Sequence, residues 1–384
     1  MAFYLAIKEI WRNRGRYLLF SLVIALITTL VLFIAALAGG LADANRQFIQ
    51  KLEADVLVYQ ENVDLQASSS RLGQATLRNI RRVNGVAEAG PLGFSTATIV
   101  FTDGREAVDV SLIGVEPGMP GDPVLLAGSG LRNKRDKQVV IDNRLAQAQN
   151  LKLGDEIIIK SIQGTDEEFY PLKVTGITDE RRYFFQPSLI VPLGTWDRIR
   201  PQGTTPSSAT EPVFNVIAVR LENPAEVEPM ITRISAAVDG VEAADKEQAI
   251  LAIPGYTAQQ STLNTQQGFT LLIGVLVVGG FFQIQMLQKV PQIGMLKAIG
   301  SNNRSVALAA LLQIVIVTVI GVAIGSLGTL LLSLGLPGNV PILFSGASVI
   351  SAIALLLLIG PIGGLVSVRL ALKIDPLTAI GVRN

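Results

Sequence analysis

Long apolar runs alternate with one extended polar region along the 384-residue chain. Four runs stand out: Leu18–Leu41, about Phe269–Leu287, about Val306–Leu334 and about Ala347–Val368. Each meets or approaches the roughly 20 residues that a bilayer-crossing helix needs. None contains Asp, Glu, Lys or Arg. The pattern predicts spans over 18–41, 268–287, 306–334 and 347–368. The first run is too long for the apolar core of a cleaved signal, so it reads as a retained anchor. Ahead of it, Phe3, Tyr4, Ile7, Ile10 and Trp11 gather on one helical face, with Lys8 and Arg12 largely away from it. That spacing predicts an interfacial helix over residues 1–17.

Between the first two spans, residues 42–267 change character. Short β-branched runs bounded by Gly, Pro, Asn or Asp recur: "ADVLVYQ", "TATIVF", "AVDVSLIGV", "QVVIDN", "DEIIIKS", "YPLKVTGIT", "SLIVPL" and "FNVIAVRL". "SRLGQATLRNIRRV" and "AEVEPMITRISAAV" carry helical spacing. Strand Asp55–Tyr59, helix Arg71–Val83 and strand Val86–Gly93 make one βαβ unit. Strand Val213–Leu221, helix Ala225–Val238 and strand Val241–Ala244 make another. Two such units predict a split βαβ, ferredoxin-like subdomain, with a mostly β insertion over about Asp103–Pro212. Within it, Pro201–Pro212 reads as a flexible loop by composition. Asp43–Leu52 and Thr257–Gln267 are helix-compatible and abut the first two spans, so they predict stalks continuing those helices. The expected fold class is an α-helical membrane protein with four transmembrane helices and an α+β extracytoplasmic domain.

Charge fixes the orientation. Lys8, Arg12, Arg14 and Arg16 precede the first span. Lys289, Lys297 and Arg304 lie between the second and third, and Arg369, Lys373 and Arg383 follow the fourth. Basic residues mark the cytoplasmic side. Both termini, the tail 369–384 and the segment 288–305 are therefore expected inside, and 42–267 outside. Only 16% of residues are charged, against about 25% in soluble chains. The net charge of +1 gives no reason to expect nucleic acid.

The chain has no Cys and no His. Disulfide, thiolate and histidine-dependent hydrolase readings fall. No phosphate-cradling loop, nucleophile elbow or HExxH motif is present. Ser68–Ser70 lack a neighbouring base and read as a loop or cap. Asp179–Arg182 reads as a solvated charge run on an outer loop. The spans hold no ionisable residue for a proton relay. Their Ser, Thr and Gln suit packing between helices, and Gly321, Gly325 and Gly328 form a small-residue seam on the third.

The chain thus lacks an energy source of its own and is expected to be non-catalytic. Yet "QKVPQIGMLKAIGSNN", Gln288–Asn303, is built as a charged helix with a glycine stop. Met295, Leu296 and Ile299 give it an apolar face, Lys289 and Lys297 give it charge, and Gly300 stands at a C-cap position. The design suits docking of another protein and transfer of force.

"PQIGMLKAIGSNNRSV", Pro291–Val306, resembles the coupling segment of FtsX-like permeases, the MacB-type class of ABC transporters. One span, a large outer domain and three further spans also resemble that class, as does the terminal "SVRLALKIDPLTAIG". "KVPQIGMLKAIG" is most similar to the branch of the HrtB haem-efflux and DevC exporter permeases. Gln292 stands where much of the class has an acidic residue. The resemblance implies a permease homodimer in a bacterial cytoplasmic membrane, working with two copies of a separate cytoplasmic ATPase that holds the ATP and magnesium. It implies ATPase coupling through Lys289, Pro291, Gln292, Gly294, Met295, Leu296, Lys297, Ile299 and Gly300. The chain itself is expected to bind no cofactor. The expected cargo is a hydrophobic molecule, with haem a candidate, and Phe33, Phe48, Tyr256 and Phe269 are candidate contacts near the outer ends of the first two spans. The alternative is a non-transporting mechanotransmitter that controls an extracytoplasmic protein.

Overall fold

The computed structural model describes residues 2–133, 136–201, 213–298, 303–336, 340, 342–344 and 346–372. The chain forms two compact units, Met1–Gly40 with Gln260–Asn384, and Leu41–Gln259.

The first unit is helical. Helix α1 is Ala2–Arg12 and α2 is Arg14–Gln50. The helices that close the chain, numbered in chain order, are α8 (Tyr256–Ala298), α9 (Asn303–Gly335) and α10 (Gly346–Leu372). Among the described residues, three segments are long and apolar enough to cross a membrane: Arg14–Gln50, Tyr256–Gln285 and Ala307–Gly335. α10 carries a shorter apolar stretch, Val349–Ile362. Ile24, Val31, Val278, Phe282, Ile314, Val317 and Leu356 form the shared interior, with Ile10 of α1 packed against it. Trp11 stays exposed.

The glycine seam is a real contact. A Cβ on Gly321 would stand 2.6 Å from Ile24 Cβ, and one on Gly325 would stand 2.5 Å from the Ala25 carbonyl. Thr29 Oγ1 donates to the Gly325 carbonyl at 3.1 Å. Small residues let α2 and α9 approach to backbone contact, where dispersion and hydrogen bonds hold helices in an apolar solvent.

Both connections to the second unit run inside unbroken helices. α2 has 37 residues, or about 55 Å of helix at 1.5 Å per residue, against about 30 Å of bilayer hydrocarbon. α8, with 43 residues, reaches about 64 Å. The segments read as stalks and spans are thus parts of single helices. The coupling segment also differs from its expectation. It is the last part of α8 as far as Ala298, rather than a separate short helix, and Pro291 lies within it. Ile299 and Gly300, with the expected helix stop, lie outside the described residues.

Among the described residues, the second unit holds eleven strands in one sheet. They are β1 (Val56–Gln60), β2 (Val86–Val100), β3 (Val108–Val115), β4 (Leu125–Gly128), β5 (Gln138–Asp142) and β6 (Glu156–Gln163). β7 (Asp166–Thr178), β8 (Arg182–Tyr183), β9 (Gln186–Pro192), β10 (Val216–Leu221) and β11 (Val241–Asp245) follow. The helices here are α3 (Gln74–Ile80), α4 (Asn143–Ala148), α5 (Leu193–Ile199), α6 (Val227–Ala237) and α7 (Lys246–Leu251). At one end the order is β11-β1-β10-β2, every neighbour antiparallel. β1-α3-β2 and β10-α6-β11 each enclose a strand of the other.

Alternation explains why these strands read as nearly continuous apolar runs. Val56 and Val58 face one core with Leu77, Ile80, Met230 and Ile234 from α3 and α6. Leu57 and Tyr59 face a second core with Phe48 and Tyr256. Both faces are covered, so both registers are apolar.

The insertion is not a separate layer. β2 runs through the predicted stop at Gly93 to Val100 and pairs with β3 along Leu92–Ile99. Pro91 falls just beyond the C-terminal end of β3, opposite Ile217 of β10, so its missing N–H costs no bond to β3. From β2 the pairing continues β3-β9-β5-β7-β6 and returns to β2. Six strands therefore close into a barrel, which removes exposed edges. Gly93 and Gly114 lie opposite each other in β2 and β3. A Cβ on either would come within 2.5 Å of Trp196, so the two glycines make the seat for that ring.

Candidate functional site

The C-terminal end of α2 is clamped to residues 179–182. Lys51 follows the last turn, and its Nζ sits 3.0 Å from Asp179 Oδ2 and donates to the Glu180 carbonyl at 2.5 Å. Arg181 Nη1 donates back to the Lys51 carbonyl at 3.1 Å, and Arg181 Nε pairs with Asp179 at 2.7 Å. The Arg182 N–H donates to Gln47 Oε1 at 3.1 Å. Glu180 receives Arg144 at 3.0 Å and Arg182 at 2.9 Å. The reading of Asp179–Arg182 as a solvated run is corrected. Arg181 and Arg182 are only 3% and 8% exposed. A buried guanidinium needs charged and carbonyl acceptors, and the alternating signs in the run supply them.

Asp142 anchors this segment from the barrel. It caps α4 by accepting the Arg144 N–H at 2.7 Å and the Leu145 N–H at 3.3 Å, and it also accepts the Arg181 N–H. Burial pushes its carboxyl up to about 6, against the pull of these three donors. Asp179 goes the other way. Partial burial acts to raise it, but the Arg181 and Lys51 hydrogen bonds hold it below the ordinary carboxylate range.

Beyond the clamp the chain turns sharply. Arg182 pairs with Pro187 and Tyr183 with Gln186, leaving Phe184–Phe185 as a two-residue hairpin loop. Both have left-handed φ, 51° and 66°. Asn-Gly is the usual solution for such a turn, and a non-glycine residue there costs about 1–3 kcal/mol. Both rings are exposed, 44% and 41%. Ser111 Oγ holds the turn by donating to the Tyr183 carbonyl at 2.8 Å.

Tyr183 leads into an aromatic trio. Its ring lies 4.6 Å from Phe94, and Phe48 of α2 meets the two at 6.1 and 5.6 Å, edge to face. Burial pushes the Tyr183 phenol up to about 12, so it stays neutral. Phe94, Tyr183 and Phe184 line a cavity of about 350 Å³. Arg71, Asn215 and Pro254 contribute to its wall. Asn215 is buried and fixes the wall, accepting the Phe94 N–H at 2.7 Å and donating to the carbonyls of Ala67 and Ser70 at 2.8 and 3.1 Å. Ser70 lies in a loop, as one of the two readings had it, and its Oγ accepts the N–H of Gln60 at the end of β1 at 2.9 Å; α3 has no side-chain cap.

The sequence-predicted residues are distributed as follows. Phe48 and Tyr256 belong to one apolar core of the second unit, with Phe48 wholly buried. Phe33 is half-buried and Phe269 exposed, both in the first unit. Lys289, Pro291, Gln292, Gly294, Met295, Leu296 and Lys297 lie on α8, with Met295 exposed. The clamp and the aromatic hairpin escaped the sequence reading. An unbroken DERR run beside "YFF" was the available signal. Among the described residues no group of three or more carboxylate side chains is placed to hold a metal.

The family described as MacB-like periplasmic core domain matches residues 17–237, and the one described as FtsX-like permease C-terminal matches residues 268–376. A permease protein named as a putative hemin transport system permease, HrtB, of Staphylococcus haemolyticus is 28% identical over 377 residues, covering 98% of this chain and 99% of the relative. Its namesake in Staphylococcus epidermidis is also 28% identical, with the same coverage. The periplasmic region of MacB from Actinobacillus actinomycetemcomitans, a solved structure, has a TM-score of 0.36 at 13% identity, covering 52% of this chain and 92% of that one.

Proposed function

Because the chain belongs to the FtsX-like, MacB-type permeases of ABC transporters, we propose that it is the membrane subunit of an exporter driven by a separate cytoplasmic ATPase. Two copies pair, and α10 serves as the fourth span. Both termini and the end of α8 face the cytoplasm. The outer unit is read as a ferredoxin-like porter subdomain, β11-β1-β10-β2, joined to the barrel through β2.

The observation that carries this reading is the continuity of two helices. α8 begins in the outer unit at Tyr256 and ends in the proposed ATPase-docking segment, with Met295 exposed. α2 ends in the clamp on residues 179–182. A helix is stiff along its axis, so displacement of one end by ATP-driven closure reaches the other. Lys289, Pro291, Gln292, Gly294, Met295, Leu296, Lys297, Ile299 and Gly300 would form the docking element. Catalysis belongs to the partner chain.

The substrate we propose is haem or a similarly lipophilic molecule, on the strength of the hemin-transport relatives. The chain has no His, so haem would be taken through apolar contact or through Met, Tyr or carboxylate groups. Phe33 and Phe269 keep exposed surface for such contact, while Phe48 and Tyr256 belong to the apolar core of the second unit.

The test is ATP hydrolysis by the permease with its ATPase in lipid nanodiscs, with and without haem. Stimulation by haem that is lost in Met295→Glu supports the coupled exporter. A stable complex whose hydrolysis ignores haem and other lipophilic compounds would favour the mechanotransmitter acting on an extracytoplasmic partner.

A further inference from the structure

The cavity beside the aromatic hairpin has a second lobe. A space of about 130 Å³ shares Arg71, Phe94, Ser95, Pro201 and Asn215 with the larger one. The two lobes differ in chemistry. Phe94, Tyr183 and Phe184 dominate the larger, while the smaller adds Trp196 and Arg200. Among the described residues they are lined by two arginines and no carboxylate, and Arg200 Nε pairs outside the lining with Asp197 Oδ1 at 2.9 Å.

Arg71 is solvent-exposed on the cavity wall, with its Nη1 held by the carbonyls of Ser68 and Ser70, each at 2.8 Å, and its remaining nitrogens accessible to water. Two features leave this site chemically incomplete. The indole Nε1 of Trp196 is buried with no acceptor among the described residues, the residue being only 2% exposed. A buried donor left unpaired is costly and rare in a finished structure. Finally, the hairpin holds Phe184 and Phe185 at left-handed φ, and Phe184 forms a wall of the cavity. Strain kept at an exposed aromatic position points to a use for that position.

We propose that the two lobes form a binding site on the outer unit for an amphipathic organic anion. Its flat apolar body lies against Phe94, Tyr183 and Phe184. Its acidic group enters the smaller lobe, between Arg71 and Arg200, with the Trp196 N–H as a further donor. The larger lobe falls within the size range of small-molecule sites. Occupancy bears on the stalk directly, because Phe48 of α2 packs against both Phe94 and Tyr183. The site stands apart from the export reading: an anion could bind here as cargo or as a regulator, and binding is measured without ATP.

The test is isothermal titration of 2-naphthalenesulfonate into the full-length permease in nanodiscs, with empty nanodiscs subtracted and 2-naphthol as the uncharged comparison. Saturable binding is expected at one site per chain. Thr96→Trp, at an exposed position on the cavity wall, should abolish it for both compounds. Arg71→Gln should weaken the sulfonate about tenfold, the scale of one charge-assisted hydrogen bond, and leave 2-naphthol unchanged. Arg200→Gln, whose side chain is not part of the loop that Arg71 braces, should act in the same direction and so distinguishes lost binding from a disturbed loop. Absence of saturable binding overturns the proposal. So does binding that is indifferent to Thr96→Trp, or a loss on Arg71→Gln and Arg200→Gln equal for the charged and uncharged compounds.

Discussion

Asp142 shows how one side chain links three parts of the outer unit. It caps α4, accepts the Arg181 N–H and is itself wholly buried. Its raised folded-state value fixes the sign of a pH effect. Between the unfolded value near 4 and the folded value of about 6, the native state binds more protons than the unfolded one. Stability from this group is therefore fully present below pH ~4 and lost as pH rises through about 6. Relative to the non-titrating Asp142→Asn, the wild-type chain should lose on the order of 2 kcal/mol between pH 4 and pH 7, read by chemical unfolding followed through Trp196 fluorescence in a Trp11→Phe background. A difference that stays flat across that window would contradict the assignment. Arg181→Met tests the clamp: it leaves Asp179 with Lys51 as its one cationic partner and removes the donor to the Lys51 carbonyl, and it should destabilise the outer unit by about 2 kcal/mol at pH 7. Little of this was readable beforehand. DERR has the composition of a surface run, and only the fold reveals that Gln47 and Lys51 lie against it.

Among elements, the α2–α9 seam makes the sharpest contrast. Gly325 has the Ala25 carbonyl where a Cβ would go, while Gly268 in α8 has nothing within 4 Å. Gly325→Ala should lower stability by about 1–3 kcal/mol through overpacking. Gly268→Ala should raise it by about 0.5–1 kcal/mol, because Ala is the better helix former. Thermal unfolding of both variants in nanodiscs checks the pair, and equal effects would remove the packing argument. The seam was visible in sequence as small residues at helical spacing, since only a helix with a close neighbour makes use of them. The strand runs were also visible, because burial on both faces leaves no polar register. The long β2 was not. Pro91 and Gly93 look like terminators, but one falls just past the end of β3 and the other makes room for Trp196.

At the scale of the molecule, the spans and the outer unit follow from segregation of charge and apolar length, and the order β11-β1-β10-β2 follows from two βαβ patterns. Closure of the barrel depends on pairings between strands far apart in sequence, such as β2 with β6, which local pattern does not encode. The candidate site was legible only in part. The segment proposed to dock the ATPase reads as a charged helix between apolar runs, whereas the cavity is assembled from separate loops and strands.

Continuity of the long helices is the feature on which the transport reading depends. Gln266 is exposed on α8, between the outer unit and the apolar span, so Gln266→Pro breaks the helix there without removing a packed side chain. The measurement is haem export and ATP hydrolysis recorded together, in proteoliposomes, for this variant with its ATPase. The account predicts that the complex assembles and hydrolyses ATP while export is lost. Export at the wild-type rate with the helix broken would contradict it.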